Sequence, residues 1–336
     1  MRIDSDRRTY RHGLARPVGF SGTGDVMGSA AIVGAGMAGL ACAAELVEAG
    51  WRVALFDKGR HPGGRMSSKT VRAEGLDFAF DYGAQYMTVR DPGFVEQVRA
   101  WEGDGVTAPW PVMGEDSWVG VPGMSAILAH MAEPLAPRWS THIRALTRDD
   151  DGWHLDHDGG REGPFDAVVL ALPAEQVLAL AGQHAPELAA LAMASSSAPC
   201  WTVLLGFDTG LPAPDRLDAA GPIDFAARNG AKPGRHGGEA WTIHATADWS
   251  RRHLESDAAG VTALLLRALE ERVGTLPTPV HAAAHRWRYA RSARAGIGAY
   301  HAPAIGLAAC GDWLLAPRVE SAWLSGRQAA EMMREG

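Results

Sequence analysis

Cysteine is scarce: Cys42, Cys200 and Cys310 are the only three in 336 residues, and they stand far apart. Such spacing excludes a disulfide framework and a cysteine metal cluster, and it suits a reducing cytoplasm. No apolar run approaches the ~20 residues of a membrane-spanning helix. Positive charge is not in excess. The formal net charge of −7 speaks against a general nucleic-acid binder, although a local basic patch survives such an average. No internal repeat or low-complexity tract occurs, and no metal site is expected. Residues 1–27 lack a hydrophobic core, and Arg7-Arg8 has none of the apolar sequence that an export signal needs. They read as a disordered leader, or as an over-long start ahead of Met27.

What is present begins at Ala30. Ala30-Ala31-Ile32-Val33 reads as a buried strand, and Gly34-Ala35-Gly36-Met37-Ala38-Gly39 follows as G-x-G-x-x-G. Leu40 to Ala49 has helical spacing and stops at Gly50; Trp51 to Phe56 is a second strand, ending at Asp57. Gly34 allows the tight turn, Gly36 lets backbone approach a pyrophosphate, and Gly39 lets the helix lie on the sheet. The helix start, at Met37 and Ala38, favours negative phosphates. Asp57 stands roughly 20 residues past the first glycine, where an acid takes a ribose hydroxyl. The whole context that the motif needs is therefore in place. An acid there suits FAD or NAD better than NADP.

The loop Lys58 to Ser67 is basic and glycine-rich, with Lys58, Arg60, Gly64, Arg65 and Met66 at the mouth of that site. Arg60 and Arg65 are candidates for the pyrophosphate; a solvated turn is the equal alternative. Phe78 to Tyr86 reads as a strand running into Gly83 and Ala84, small residues able to meet a flat ring. Phe94 to Trp139 reads as irregular, apart from a helix at Ser125 to Met131 capped by Ser125. Strands follow at Ile143 to Leu146, Trp153 to Leu155 and Phe165 to Leu172, then alanine-rich helix to about Ala194. Cys200 to Phe207 and Ala240 to Ala245 read as antiparallel strands, with a basic loop, Ala226 to Arg235, between them. Leu254 to Val273 is amphipathic helix and His281 to Ala290 a strand. Finally Gly306 to Asp312 is an apolar strand ending in Gly311-Asp312, and a helix over Val319 to Met333 opens with Glu320-Ser321-Ala322. An acid after a strand can take a ribityl hydroxyl, and a helix start beside it can stabilise charge on a ring.

Taken together, Gly34 to Gly39 with Asp57, Gly63-Gly64-Arg65-Met66, Asp81 to Tyr86, and Cys310-Gly311-Asp312 with Val319 to Ala322 resemble the FAD-dependent amine-oxidase superfamily. Within it the chain is most similar to bacterial renalase-like proteins. Pro199-Cys200-Trp201, Ala227-Arg228-Asn229 with Lys232 to Arg235, and His285 to Ala290 add to that likeness. The resemblance spans roughly Ala30 to Arg334. It implies an α/β fold: a Rossmann-type FAD domain, discontinuous over 28–90, 140–180 and 300–336, with an inserted α+β substrate domain on an antiparallel sheet over 91–139 and 181–299. It implies non-covalent FAD, with Gly34, Gly36, Met37, Ala38, Gly39, Asp57, Lys58, Arg60, Gly64, Arg65, Met66, Gly83 to Tyr86, Ile143, Gly311, Asp312 and Val319 to Ala322 around it.

The chemistry implied is oxidation of a misreduced 2- or 6-dihydro isomer of NAD(P), with electrons passed to O2 and H2O2 released. Tyr82 stands where the family has histidine, and Asn229-Gly230-Ala231 replaces a more usual Asn-Ser-Ser-like run. The cofactor carries such chemistry, so no Ser-His-Asp set or general base is required. Tyr82 and Gln85 are the polar residues expected nearest the ring. Arg228, Asn229, Lys232 and Arg235 are candidates for substrate phosphates, against a solvated basic loop. Trp287 and Tyr289 are expected to wall the substrate pocket, with Trp201 and Trp241 behind. His244 and His285 read as core histidines. Three rivals stand beside this: an amine oxidase or desaturase acting on a specialised metabolite, favoured by an aromatic pocket without the basic loop; an NAD-dependent dehydrogenase; and a non-catalytic flavin-binding module.

Overall fold

The computed structural model describes residues 27–335; the leader expected over 1–27 lies outside them but for Met27. Strand Ser29–Val33 is wholly buried and pairs in parallel with Arg52–Phe56 on one side and Ala167–Leu170 on the other. Leu307–Ala309 continues the sheet in parallel, and Tyr300–Ala302 closes its edge antiparallel. Ser29–Val33, Ala167–Leu170 and Leu307–Ala309 are buried along their whole length, and strands buried on both faces carry apolar runs without alternation. Three separate stretches of chain thus share one sheet. Helix Met37–Glu48 packs on it, and the last helix, Val319–Glu335, packs on that helix.

A second sheet is antiparallel, with strands in the order Arg216–Leu217, Ile223–Arg228, Glu239–Ala245, Ser197–Phe207, His281–Ser292. Here alternation decides the faces. Val203, Leu205, Phe207, Trp241 and Ile243 bury against Val261, Leu265 and Leu269 of helix Ala258–Val273. Thr202, Thr242 and His244 must then point to the opposite face. On that face lies the hairpin Ser68–Ala73/Leu76–Asp81, whose Phe78 and Phe80 pack on Leu204 and Ala240. The first and second sheets and a cleft between them set the architecture. No described helix is long and apolar enough to cross a membrane.

Two local expectations are corrected. The stretch from Phe94 is not irregular: helix Pro92–Gly103 begins there, because the Asp91 carboxylate accepts from the Gly93 and Phe94 N–H groups and Pro92 opens the first turn. Strands Thr107–Pro109 and Ser117–Gly120 follow it. The next helix, Met124–Ala132, starts at Gly123 without a side-chain cap. Ser125 lies inside it and gives its N–H to the Ser68 hydroxyl.

Candidate cofactor cleft and substrate chamber

The glycine turn is built for close approach. A Cβ on Gly39 would lie 1.9 Å from the Gly34 carbonyl oxygen, so only glycine lets the helix seat there. A Cβ on Gly36 would meet nothing within 4 Å, because it would project into open space. The first N–H groups of a helix have no intrahelical partner, and this helix start has no side-chain cap. Gly36, Met37 and Ala38 line a cavity of ≈ 630 Å³. An uncapped helix start facing open space is a fit for a pyrophosphate. Asp57 lies beneath the turn, accepting from the Ala35 N–H at 2.7 Å and the Gly59 N–H at 2.6 Å.

The same cavity is lined by Arg65, Met66, Gly83, Ala84, Gln85, Tyr86, Gly311, Asp312, Val319 and Ala322, far apart in sequence and expected together. Gly83 and Ala84 sit directly on the Arg65 carbonyl, which accepts from the Ala84 N–H at 2.8 Å. Arg65 and Asp312 form a two-pronged ion pair at 2.8 and 2.7 Å. Both line the cavity, and the nearly buried carboxylate takes the nearest cation.

Other expected cofactor residues fall elsewhere. Lys58 gives its ammonium to Gln176, Arg60 and Gly64 are exposed, and Ile143 is core; none lines the cavity. Glu320 turns away from the cleft, because its carboxylate accepts from the Arg90 and Asp91 N–H groups at 2.6 and 2.7 Å. Ser321 is buried with its hydroxyl unpartnered.

Tyr82 is corrected outright. Phe78, Phe80 and Tyr82 share one face of their strand. The Tyr82 ring stacks on Trp287 at 5.6 Å and meets His285 at 5.1 Å, off the cavity lining. Gln85 does line it. Its amide is fixed on every side: Nε2 donates to the Asp81 and Gly83 carbonyls at 2.6 and 3.0 Å, and Oε1 accepts from Lys232 at 3.0 Å.

The basic loop is corrected too. Lys232 and Arg235 run inward to Asp81, at 2.9 and 2.6 Å, with side chains 0% and 1% exposed. Asn229 accepts from the Asp81 N–H at 3.0 Å and donates to Thr242 at 2.7 Å. A carboxylate with no exposure would be costly alone, and the two cations compensate it. Burial pushes the Asp81 carboxyl up, but Lys232 and Arg235 outweigh it and hold it below its ordinary value. Burial brings the Lys232 ammonium down to about 8, against the pull of Asp81. Arg228 bonds Glu239 and the Leu211 carbonyl. None of the four lines the cavity.

Beyond Gln85 the cavity continues along the second sheet as a chamber walled by Tyr86, Phe225, His244 and Trp287. Tyr86 and Phe225 lie 6.4 Å apart, Phe225 and His244 6.1 Å. Trp287 is where it was expected, Tyr289 is an exposed residue outside the lining, and Trp201 and Trp241 are core behind the sheet. Phe225 was missed and His244 was read as core, although the alternation of Trp241 and Ile243 already assigns His244 to the other face. Burial, then Arg291 and Lys232, bring His244 down to about 3, so it is neutral. Arg216, Asp218, Asp224 and Arg291, also missed, complete this end of the lining.

Two family models match. That for the NAD(P)-binding Rossmann-like domain covers residues 32–98, and that for the flavin containing amine oxidoreductases covers 111–333. Renalase from Mus musculus is 27% identical over 291 residues, 77% of this chain and 84% of that protein. Putrescine oxidase bound to putrescine superposes with a TM-score of 0.67 at 14% identity, over 92% of this chain and 99% of the other. Cyclohexylamine oxidase from Brevibacterium oxydans IH-35A gives 0.63 at 13%, with the same coverage. At these identities the two structures establish a shared fold.

Proposed function

The chain belongs to the flavin containing amine oxidoreductase family, and from that membership we propose that this FAD-dependent oxidoreductase takes hydride from a 2- or 6-dihydro isomer of NAD(P). FAD bound in the cleft would supply the hydride acceptor and the two-electron route to O2 that yields H2O2. The protein's part is to bind, orient and exclude water. Tyr86, Phe225 and Trp287 offer flat walls to a flat ring, and stacking holds such a ring in register. Gln85, with all its amide atoms engaged, presents a rigid edge between cleft and chamber. Gly36, Met37 and Ala38, on the cavity lining, would hold the pyrophosphate of the cofactor.

The observation that carries this reading is the flat-walled chamber, with Tyr86, Phe225 and Trp287 on its lining. His244 faces the chamber, and at about 3 its basicity is too low to take a proton from a substrate near neutral pH. A dihydronicotinamide needs no base, because loss of hydride alone gives the aromatic cation. The likeness to renalase supports the same choice. A second reading has its own observation: Asp218 and Asp224 on the lining could accept an ammonium, as an amine oxidase of a specialised metabolite requires. The withdrawn loop at Lys232 and Arg235 removes one argument against it, while Arg216 and Arg291 restore cationic lining from other strands.

The two separate in one experiment. The yellow holoprotein is titrated without oxygen with 2- and 6-dihydro-NAD and with simple amines. Bleaching by the dihydro isomers, and recolouring in air with peroxide, is the expected result. A flavin that ignores them and responds to amines replaces this reading with the second.

A further inference from the structure

Two arginine–aspartate pairs stand on the chamber lining, Arg291 with Asp224 and Arg216 with Asp218. Irregular backbone puts the first of them there. Asp224 is the extra residue of a bulge, where Ile223 and Phe225 face the adjacent Ala245 and His244. Arg291 follows a second shift of register, where Ala198 and Cys200 face Arg291 and Trp287. Bulges bend a strand and re-aim its side chains. In the sheet order the strands of His244 and Cys200 separate that of Asp224 from that of Arg291. At ~4.8 Å per strand that is a span of roughly 14 Å. The ion pair therefore arches across both intervening strands, whose His244 and Cys200 line the cavity.

This strap is not buried scaffolding. The Arg291 side chain is 55% exposed and Asp224 28%. Water screens such a pair, so it opens at small cost. A phosphate offers the guanidinium fork the same two-pronged geometry as a carboxylate, with more charge. The pair is thus exchangeable, and it faces the compartment where the substrate lies.

We propose that Arg291, with Arg216 on the same wall, recognises the phosphate of the hydride donor, and that Asp224 holds Arg291 across the chamber until that phosphate displaces the carboxylate. The inference rests on the chamber being the nicotinamide nucleotide's site. It moves phosphate recognition from the loop at Arg228 to Arg235, which is engaged elsewhere, to the two strands whose bulges meet the cavity.

The test compares nicotinamide mononucleotide, which has a phosphate, with nicotinamide riboside, which has none. Each is titrated into oxidised holoprotein and read by perturbation of the flavin spectrum. Arg291→Ala is expected to weaken the mononucleotide about tenfold more than the riboside, the worth of one charge-assisted pair. Arg291→Lys, which keeps charge but loses the fork, falls between. Asp224→Asn tightens the mononucleotide alone. Equal shifts for both ligands, or a wild type that binds the mononucleotide no better than the riboside, overturn the proposal. So do variants that lower the melting temperature without separating the ligands. Reduction is scored separately. A ligand split without reduction by dihydro isomers keeps Arg291's role and removes the proposed donor; reduction without a split does the reverse.

Discussion

Asp81 has no exposure and two cations on one of its oxygens, Lys232 at 2.9 Å and Arg235 at 2.6 Å. Its other oxygen takes the Ser68 hydroxyl and the Met124 N–H. Among these three charged groups one positive charge is in excess, so the two ways of breaking the cluster are unequal. Asp81→Asn leaves two buried cations without a counter-charge and should cost about 3–5 kcal/mol in urea unfolding. Lys232→Met leaves Asp81 balanced by Arg235 and should cost clearly less; equal losses would contradict the charge count. The lysine also gives a pH signature. It titrates at about 8 when folded, against 10.5 ordinarily, so between those values the unfolded chain binds more protons. Stability of the wild type relative to Lys232→Met then rises with pH through that window, and a flat difference would exclude the lowered lysine pKa. None of this was legible in the loop itself, where four polar residues in eight read as a solvated face. The position of Tyr82 was legible: with Phe78 and Phe80 apolar at alternate places, period two already puts its ring with theirs, away from Asp81.

The glycine turn shows what an element's sequence does specify. Local rules sufficed to read strand, turn, helix and Asp57, because each glycine answers to its own backbone. Gly39 and Gly36 nevertheless differ in kind. At Gly39 a Cβ strikes the Gly34 carbonyl at 1.9 Å, whereas at Gly36 it enters open space. Gly36 also sits at the helix N-cap with φ −82°, a conformation that any residue adopts. Gly36→Ser should therefore leave the thermal midpoint of the apoprotein unchanged or slightly raised, since serine is a good N-cap, while weakening FAD by at least about tenfold. Gly39→Ala should lower the midpoint of the apoprotein itself. Fluorescence titration with FAD and a thermal scan of each variant decide it; a Gly36→Ser protein that binds FAD normally would place the pyrophosphate elsewhere. The second sheet was less legible at this scale. Its strands were found, but its two bulges leave no local mark in sequence, and they carry Asp224 and Arg291 to the chamber.

At the scale of the molecule, cleft and chamber are one cavity with walls from both sheets. Arg65 and Asp312 stand at the first, Phe225, His244 and Trp287 on the second. Sequence reading located much of the first wall but of the second little beyond Trp287, because the second depends on which face of a strand looks inward over a long chain separation. Phe78 seats the hairpin Ser68–Ala73/Leu76–Asp81 tightly on the second sheet. It fills the space above Gly206 and Gly238, whose Cβ atoms would lie 2.8 and 2.3 Å from its ring. A ligand that spans the cavity should therefore stabilise both sheets together. With free FAD at 100 times its dissociation constant, linkage adds about 2.7 kcal/mol to unfolding. Removing FAD should lose that amount and raise hydrogen exchange on both walls: at residues 34–39 and 311–322, and also at the bulged strands 223–228 and 281–292. Faster exchange confined to the first two segments would mean that the cofactor ends at the cleft and that the chamber does not share its compartment. Faster exchange in all four would show that the substrate's walls are ordered by the cofactor before any substrate arrives.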